Sequence, residues 1–469
     1  MFKSASSEIP DSYYQTEPSL VRPRSPTPRR TLYLSNLDDQ KFLRFSIKYI
    51  YLYKKSVSVE SLKSSLSRVL VDYYPLAGRL RTSAEDEGKF EVDCNGEGAL
   101  FAEAFMDLTA DQFLQASRRP NRSWRKFLYR LDSRNFLDIP PLVIQVTNLN
   151  CGGMILCTAI NHCLCDGIGT SQFLQAWAHL TSKSDDVLPI SPFHDRHLLS
   201  PSSIPNITFT HPEYTGTTPH HHEGINGIHF LEQMLKSQSL VPISVTFKPS
   251  HILNLRKHCV PSLKCTSFEA LASHTWRSWI RSLIPPASLK VKLLFSVNVR
   301  KRMKPELPRG YYGNGFVLGC AETTVKELVG SNKNIHHGVK VVQEAKAVLT
   351  EEYVRSMIDY LEERRAKPDL STSFVISQWA KLGLEDLDFG EGKPVHMGPL
   401  ASEIYCLFLP IVGDLDAIRV LVSVPEKIAE KFEYYMKDIM GAEEEKEEEE
   451  EAREWHKKSF KLSSFMPCN

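Results

Sequence analysis

The segment Met154-Ile-Leu-Cys-Thr-Ala-Ile160 is an unbroken apolar run of strand length, and it ends in Asn161-His-Cys-Leu-Cys-Asp-Gly-Ile-Gly169. Beyond the glycines, Phe173, Leu174, Trp177 and Leu180 recur at helical spacing within Ser171 to Leu180. A short apolar run reads as a strand buried on both faces, and the helical period as an amphipathic helix packed onto the sheet. The segment therefore reads as a strand–turn–helix unit, and mixed strands and helices in both halves of the chain argue for the α/β class. His162 falls at the strand's end, where a glycine-bearing turn lets its side chain face a cavity while the backbone stays rigid. Imidazole changes charge near neutral pH, so a histidine in that place suits a general base. Asp166 and Gly167 follow it. An isolated match of this kind is more often a satisfied core histidine, and the rest of the chain decides between the two readings.

Residues 1–30 are polar and proline-rich and read as an extended N-terminal arm. From 57 to 70 the residues Val59, Leu62, Leu66, Val69 and Leu70 share one helical face. Ser58 is placed to N-cap that helix, and Val57 with Leu62 to form a hydrophobic staple. Pro75 and Gly78 then end it and turn the chain into strands. Leu142, Ile144 and Val146 alternate toward one face, and Asn150-Cys-Gly-Gly153 reads as the turn into the strand before His162. Residues 183–240 are rich in Ser, Pro, His and Thr with little periodicity, which predicts a crossover between domains. A second half opens at Ile243 to Phe247, and Thr266-Ser-Phe-Glu269 carries a capping box for a helix running through Ile280. Lys292 to Asn298, Ile404 to Leu409 and Ile418 to Val424 read as strands, and 335–365 as helical. The organisation expected is an N-terminal domain at 31–182, a crossover at 183–240, a C-terminal domain at 241–440 and an acidic tail at 441–469. One late segment of the second half is expected to complete the first sheet.

With 469 residues, the chain exceeds the size at which one hydrophobic core stops growing, so two domains are expected. It carries 57 basic and 56 acidic side chains, a balance that proposes neither nucleic acid nor membrane as partner. Met1 to Pro10 lacks an apolar signal region, and no run approaches the length of a membrane span. The ten cysteines show no framework spacing, so reduced thiols in the cytoplasm are the expectation. The run Glu443 to Glu451 repels itself and reads as a solvated tail.

Four motifs in order give the histidine a family. Tyr74-Pro-Leu-Ala-Gly-Arg79 comes first, then His162-x-x-x-Asp166-Gly167, Leu307-Pro-Arg-Gly-Tyr-Tyr-Gly-Asn-Gly315 and Asp388-Phe-Gly-Glu-Gly392. Over nearly its whole length the chain resembles the plant BAHD acyl-CoA-dependent acyltransferases. Within them it is most similar to the branch that moves hydroxycinnamoyl groups to fatty alcohols and ω-hydroxy fatty acids, on Leu34-Ser-Asn-Leu-Asp38, Asn161-His-Cys163 with Asp166-Gly-Ile-Gly169, and Ile358-Asp-Tyr360. The resemblance implies two similar chloramphenicol-acetyltransferase-like domains, each a mixed sheet with flanking helices, joined by a long crossover loop. It also implies a cytoplasmic monomer that uses acyl-CoA as co-substrate, acts on a small alcohol acceptor and keeps no permanently bound cofactor.

His162 would then be the general base that takes the acceptor's proton as its oxygen attacks the thioester. Thiolate is a good leaving group and no side-chain nucleophile is needed, in keeping with the absence of a G-x-S-x-G elbow. The resemblance gives Asp166 a structural role, paired with Arg300 in Ser296-Val-Asn-Val-Arg300, and makes Gly167 the turn between base and anchor. Ser377 of Ser377-Gln-Trp379 matches the family's oxyanion donor, with Trp379 as a cavity wall. Asp388, Gly390 and Gly392 match a motif that supports the fold near the CoA side, away from acyl transfer. Glu391 departs from it, standing where the family has tryptophan; a charge there must reach solvent or a cation.

His162-Cys163-x-Cys165 has no second cluster at ligand spacing, and His220-His-His222 reads as a solvated loop, so no metal is expected. No P-loop or Rossmann fingerprint is present. Two other readings remain open at this point. One is a catalytically silent relative acting as an accessory protein in lipid or cuticle metabolism, motivated by Glu391 and the acidic tail. The other is a condensation-type domain, which usually has a second histidine where this chain has Asn161.

Overall fold

The computed structural model describes residues 8–117, 122–133, 135–183, 187–215, 238–259, 263–330, 335–400 and 405–440. In chain order the strands are β1 (Ser19–Val21), β2 (Thr31–Tyr33), β3 (Ser46–Tyr53), β4 (Arg79–Thr82), β5 (Phe90–Asp93), β6 (Ala99–Met106), β7 (Leu142–Leu149) and β8 (Met154–Asn161). The second half adds β9 (Leu240–Phe247), β10 (Lys290–Asn298), β11 (Phe316–Thr324), β12 (Ser373–Gln378), β13 (His396–Pro399), β14 (Cys406–Ile411) and β15 (Asp414–Pro425). Two six-stranded sheets result, ordered β1-β6-β7-β8-β3-β13 and β11-β10-β12-β14-β15-β9, with a small sheet β2-β5-β4 beside them. Both large sheets are mixed: β6/β7 run parallel in the first, and β10/β12 and β12/β14 in the second.

The helices form where their ends are satisfied and one face can be buried. Ser58 accepts the amide of Ser61 at the start of Val59–Asp72, and Val57, Leu62, Leu66, Val69 and Leu70 of this segment are buried. Thr266 and Glu269 close a reciprocal capping box at Ser267–Leu283, which packs with Glu426–Lys437 into the core of the second sheet. The stretch 335–365 is two helices, His336–Val348 and Glu351–Arg364, and not one. Thr350 leaves the helical conformation to accept the amide of Tyr353, so it caps the second helix and breaks the first.

The halves are interwoven. β13 comes from the second half and pairs antiparallel with β3 of the first sheet. Tyr312, Trp379, Leu407 and Leu421 likewise lie in the core cluster that surrounds β3 and β8. The N-terminal stretch is no free arm where it is described: β1 pairs with β6, and Tyr13 bridges to Phe105, because β6 otherwise offers an unpaired edge. The described part of the crossover is packed as well. Leu199 and Tyr214 are buried, and the Lys292 amine on β10 donates to the carbonyls of Pro212 (2.9 Å) and Thr215 (2.6 Å). The acidic run Glu443 to Glu451, Ile404 and His220 to His222 lie outside the described residues.

Candidate active site

β8 delivers His162 one residue past its end. There the Asn161 side chain accepts the amide of Cys163 at 3.0 Å, and its carbonyl accepts that of Leu164 at 3.0 Å, an asparagine-closed turn. The His162 amide still donates to Phe45 O at 2.9 Å, so the backbone stays tied to the neighbouring strand's start while the ring leaves the sheet. The ring meets Phe45 edge-on at 5.2 Å, and its Nδ1 is buried. That leaves Nε2 as the nitrogen an incoming substrate can reach.

Asp166 borders the same space, but its carboxylate is engaged by the second half of the chain. Arg300 grips it with two bonds, Nη1 to Oδ2 at 2.8 Å and Nη2 to Oδ1 at 2.9 Å, while the amides of Gly169 and Gly315 donate to the same two oxygens. Asp166 is thereby the N-cap of Gly167–Ser182 as well as half of a buried ion pair. Burial pushes its carboxyl up, but the Arg300 charge and these hydrogen bonds outweigh it and hold it below the usual carboxylate range. Gly167 is not the turn expected of it; it is the first helical residue, and a Cβ there would lie 3.0 Å from Leu382 Cδ1. The turn belongs to residues 162–164, and the backbone clash that forbids a side chain is at Gly169, 1.8 Å from Tyr312 O.

Beneath the histidine lies a brace that the sequence reading did not assign. Asn314 Nδ2 donates to His162 O at 2.7 Å and to Asp38 Oδ1 at 3.0 Å, and its backbone amide donates to Asp38 at 2.8 Å. Asp38 is fully buried, its other oxygen held by the Ser35 hydroxyl at 2.7 Å. Asn36 reaches across to Ile358 O, which ties Leu34–Asp38 to Ile358–Tyr360. Arg196, from the crossover, donates to Leu164 O at 3.1 Å and lies over Tyr312. Burial disfavours its charge, yet Asp38, Tyr311 and Tyr312 offset that and keep it protonated. A Cβ at Gly313 would fall 1.3 Å from Arg196 Nη1, and one at Gly315 would fall 2.8 Å from Arg300, so both glycines make room for guanidinium groups. The signal was present in two quoted motifs, but neither showed that they meet.

Two cavities adjoin the histidine. One, of about 290 Å³, is apolar, walled by residues such as Phe45, Tyr49, Leu318, Val375 and Leu407. The other, of about 250 Å³, is more polar and includes Asn298, Gln378 and Lys381. His162, Ser296, Phe316, Ser377 and Trp379 border both. Trp379 stacks flat on Tyr49 at 5.3 Å and donates its indole N–H to Ser377 Oγ at 3.2 Å. One lone pair of that hydroxyl is thus occupied, and its proton is left to donate elsewhere. Burial pulls the His162 pKa below the ordinary value of 6.5, against the opposing pull of its own backbone carbonyl, Asp166, Asn314 and Asp38. Burial thereby favours the neutral ring, the form a base needs. The acid limb of kcat/KM is expected to have its midpoint under 6.5, read from initial rates across pH. A midpoint above 6.5 contradicts a burial-depressed base.

The 388–392 loop folds on itself, away from these cavities. The Asp388 carboxylate accepts the amides of Gly390 (2.8 Å) and Gly392 (3.0 Å), and both glycines have positive φ (109° and 107°), which a side chain would strain. Phe389 is the buried member, edge-on to Trp177 at 4.9 Å. Glu391 is half exposed and faces Lys55 at 3.8 Å, so it has the solvent and the cation that a charge requires. An ion pair this exposed contributes little. Glu391→Gln is expected to leave both kcat/KM and Tm within experimental scatter of the wild type; a tenfold loss would place this side chain in CoA binding.

Among the described residues, no group of three or more His, Cys, Asp or Glu side chains could hold a metal, and no helix is long and apolar enough to cross a membrane. The sequence profile of the Transferase family matches residues 15–439. Over 434 residues the chain is 36% identical to an omega-hydroxypalmitate O-feruloyl transferase of Arabidopsis thaliana, covering 90% of this chain and 92% of that one. It is 37% identical over 432 residues to a fatty alcohol:caffeoyl-CoA acyltransferase of the same plant, covering 90% and 97%. The fold matches the crystal structure of vinorine synthase with a TM-score of 0.68 at 21% identity, covering 90% and 97%. Two chloramphenicol-acetyltransferase-like mixed sheets, with a histidine bordering two cavities, are the frame of an acyltransferase. The chain belongs to the BAHD transferase family.

Proposed function

We propose that the protein transfers an acyl group, of the hydroxycinnamoyl type, from CoA to the hydroxyl of an ω-hydroxy fatty acid or fatty alcohol, with His162 as general base. The observation that carries this reading is the position of His162, which borders both an apolar cavity and a more polar one. The polar cavity suits the thioester end of acyl-CoA, and the apolar one the acceptor chain. His162 Nε2 takes the acceptor's proton as its oxygen forms the new bond to the thioester carbonyl carbon. The resulting oxyanion accepts a hydrogen bond from Ser377, whose hydroxyl is oriented by Trp379. Collapse breaks the carbon–sulfur bond, and the imidazolium returns its proton to the departing thiolate. Asp166 and Arg300 act as the anchor that sets the loop, and Asp388, Gly390 and Gly392 shape a supporting loop. The setting in this reading is a cytoplasmic monomer.

The relatives named above carry feruloyl, caffeoyl, ω-hydroxypalmitate and fatty alcohol in their names, which supports this choice of substrates. Thiol release from feruloyl-, caffeoyl- and benzoyl-CoA, each offered with an ω-hydroxy fatty acid, a fatty alcohol, shikimate and a polyamine, tests it. Ester formation with the first two acceptors is expected. Turnover confined to shikimate or polyamine would overturn it.

A further inference from the structure

Arg419 is a cation on the cavity face of the second sheet. Ser377 on β12 is in register with Leu407 on β14, and Leu407 with Leu421 on β15, so these three side chains share a face. The next pair along, Leu409 and Arg419, shares it too. Cys406, Phe408, Ile418 and Val420 point the other way into the core of the second domain. Two strand spacings and two residues separate Ser377 from Arg419, roughly 12 Å between backbones.

The guanidinium reaches the first sheet, where Nη2 donates to Met397 O at 3.0 Å and lies beside Gly398. This corner adjoins Pro399 and Tyr49, which wall the apolar cavity. Among the described residues no carboxylate pairs with Arg419, and no Asp or Glu borders the cavity, which Lys48 borders and Arg419 adjoins through Pro399 and Tyr49. Arg419 Nε, Tyr49 Oη and His396 Nε2 are all buried here without a hydrogen-bond partner among the described residues. The titratable groups that act on Arg419 or feel it are Tyr49 and His396. Burial and then Arg419 push His396 down to about 3, so neither neighbour supplies a negative charge. Buried donors of a guanidinium without a counter-charge are costly unless something accepts from them, and a planar carboxylate fits such a fork.

We propose that Arg419 receives a carboxylate at the far end of the acceptor, which makes the preferred acceptor an ω-hydroxy acid of medium chain length and not the plain alcohol. This rests on the reading of the apolar cavity as the acceptor's, and it chooses between the two acceptor classes named for the relatives. The hydroxyl end lies at His162 and Ser377, the methylene chain fills the apolar cavity, and the acid end meets the guanidinium beside Tyr49.

Calorimetric binding of ω-hydroxydecanoate and of decanol needs no turnover, so it separates this inference from the activity itself. Wild type is expected to bind the acid about tenfold more tightly than the alcohol, the size of one charge-assisted pair. Arg419→Met is expected to erase that difference while decanol binds as before, and Arg419→Lys to retain part of it. A wild type that binds both ligands equally overturns the proposal, whatever the variants do. So does an Arg419→Met protein that loses both ligands in proportion, which marks the residue as a structural bridge between the sheets.

Discussion

Asp166→Ala is expected to destabilise the protein by about 3–5 kcal/mol, because it leaves the Arg300 guanidinium buried and uncompensated. The loss has three parts: the bidentate pair, the N-cap of Gly167–Ser182, and the acceptor for Gly315 N. Denaturant unfolding monitored alongside turnover measures it. Since the Asp166 carboxyl is held below its usual range, this contribution is present in full at neutral pH and above. It is lost as pH falls through the depressed value. The double variant Asp166→Ala/Arg300→Met should be less destabilised than the sum of its parts, since the stranded charge is gone. If Asp166→Asn kept full stability and lost all turnover, the carboxylate would be part of the proton transfer after all.

His162→Ala is expected to lower kcat/KM by at least ~10²–10⁴-fold, the range that a positioned general base contributes. Its Tm should change little by comparison. The ring borders two cavities, and the surrounding loop is held by bonds to the His162 backbone from Phe45 and Asn314, which alanine keeps. Loss of activity together with a collapse of Tm would return His162 to the role of a core histidine. The binding of acyl-CoA should survive the substitution, because the polar cavity loses no cation.

The strand carrying His162, the capped helices and the α/β class were legible because each is a local pattern of period or capping. The Asp166–Arg300 partnership was legible only through family resemblance, since 134 residues separate the two. Asp38 and Asn314 stand 276 residues apart, and nothing in either motif shows that one holds the other. Local propensity reads Asn and Asp as turn residues, whereas here a buried carboxylate and amide brace the catalytic loop. Gly167 and Gly169 could not be told apart in the sequence, because what distinguishes them is the carbonyl of Tyr312 from the other half. The helix break at Thr350 was hidden for the opposite reason. Apolar positions continue on both sides of it, and only the capping hydroxyl interrupts the backbone. Arg419 reads as one polar residue in a late strand until register places it opposite Leu409.

Direct transfer from CoA to the acceptor, with His162 as base and no acylated enzyme between, is the expected course of the reaction. Rapid mixing of enzyme and acyl-CoA, with and without acceptor, tests it when released thiol and intact protein mass are followed together. Without acceptor, no thiol burst and no added mass are expected. With acceptor, one CoA should appear per ester formed, and His162→Ala should abolish both signals. A stoichiometric burst of CoA with an acyl group left on the protein, in the absence of acceptor, would contradict direct transfer.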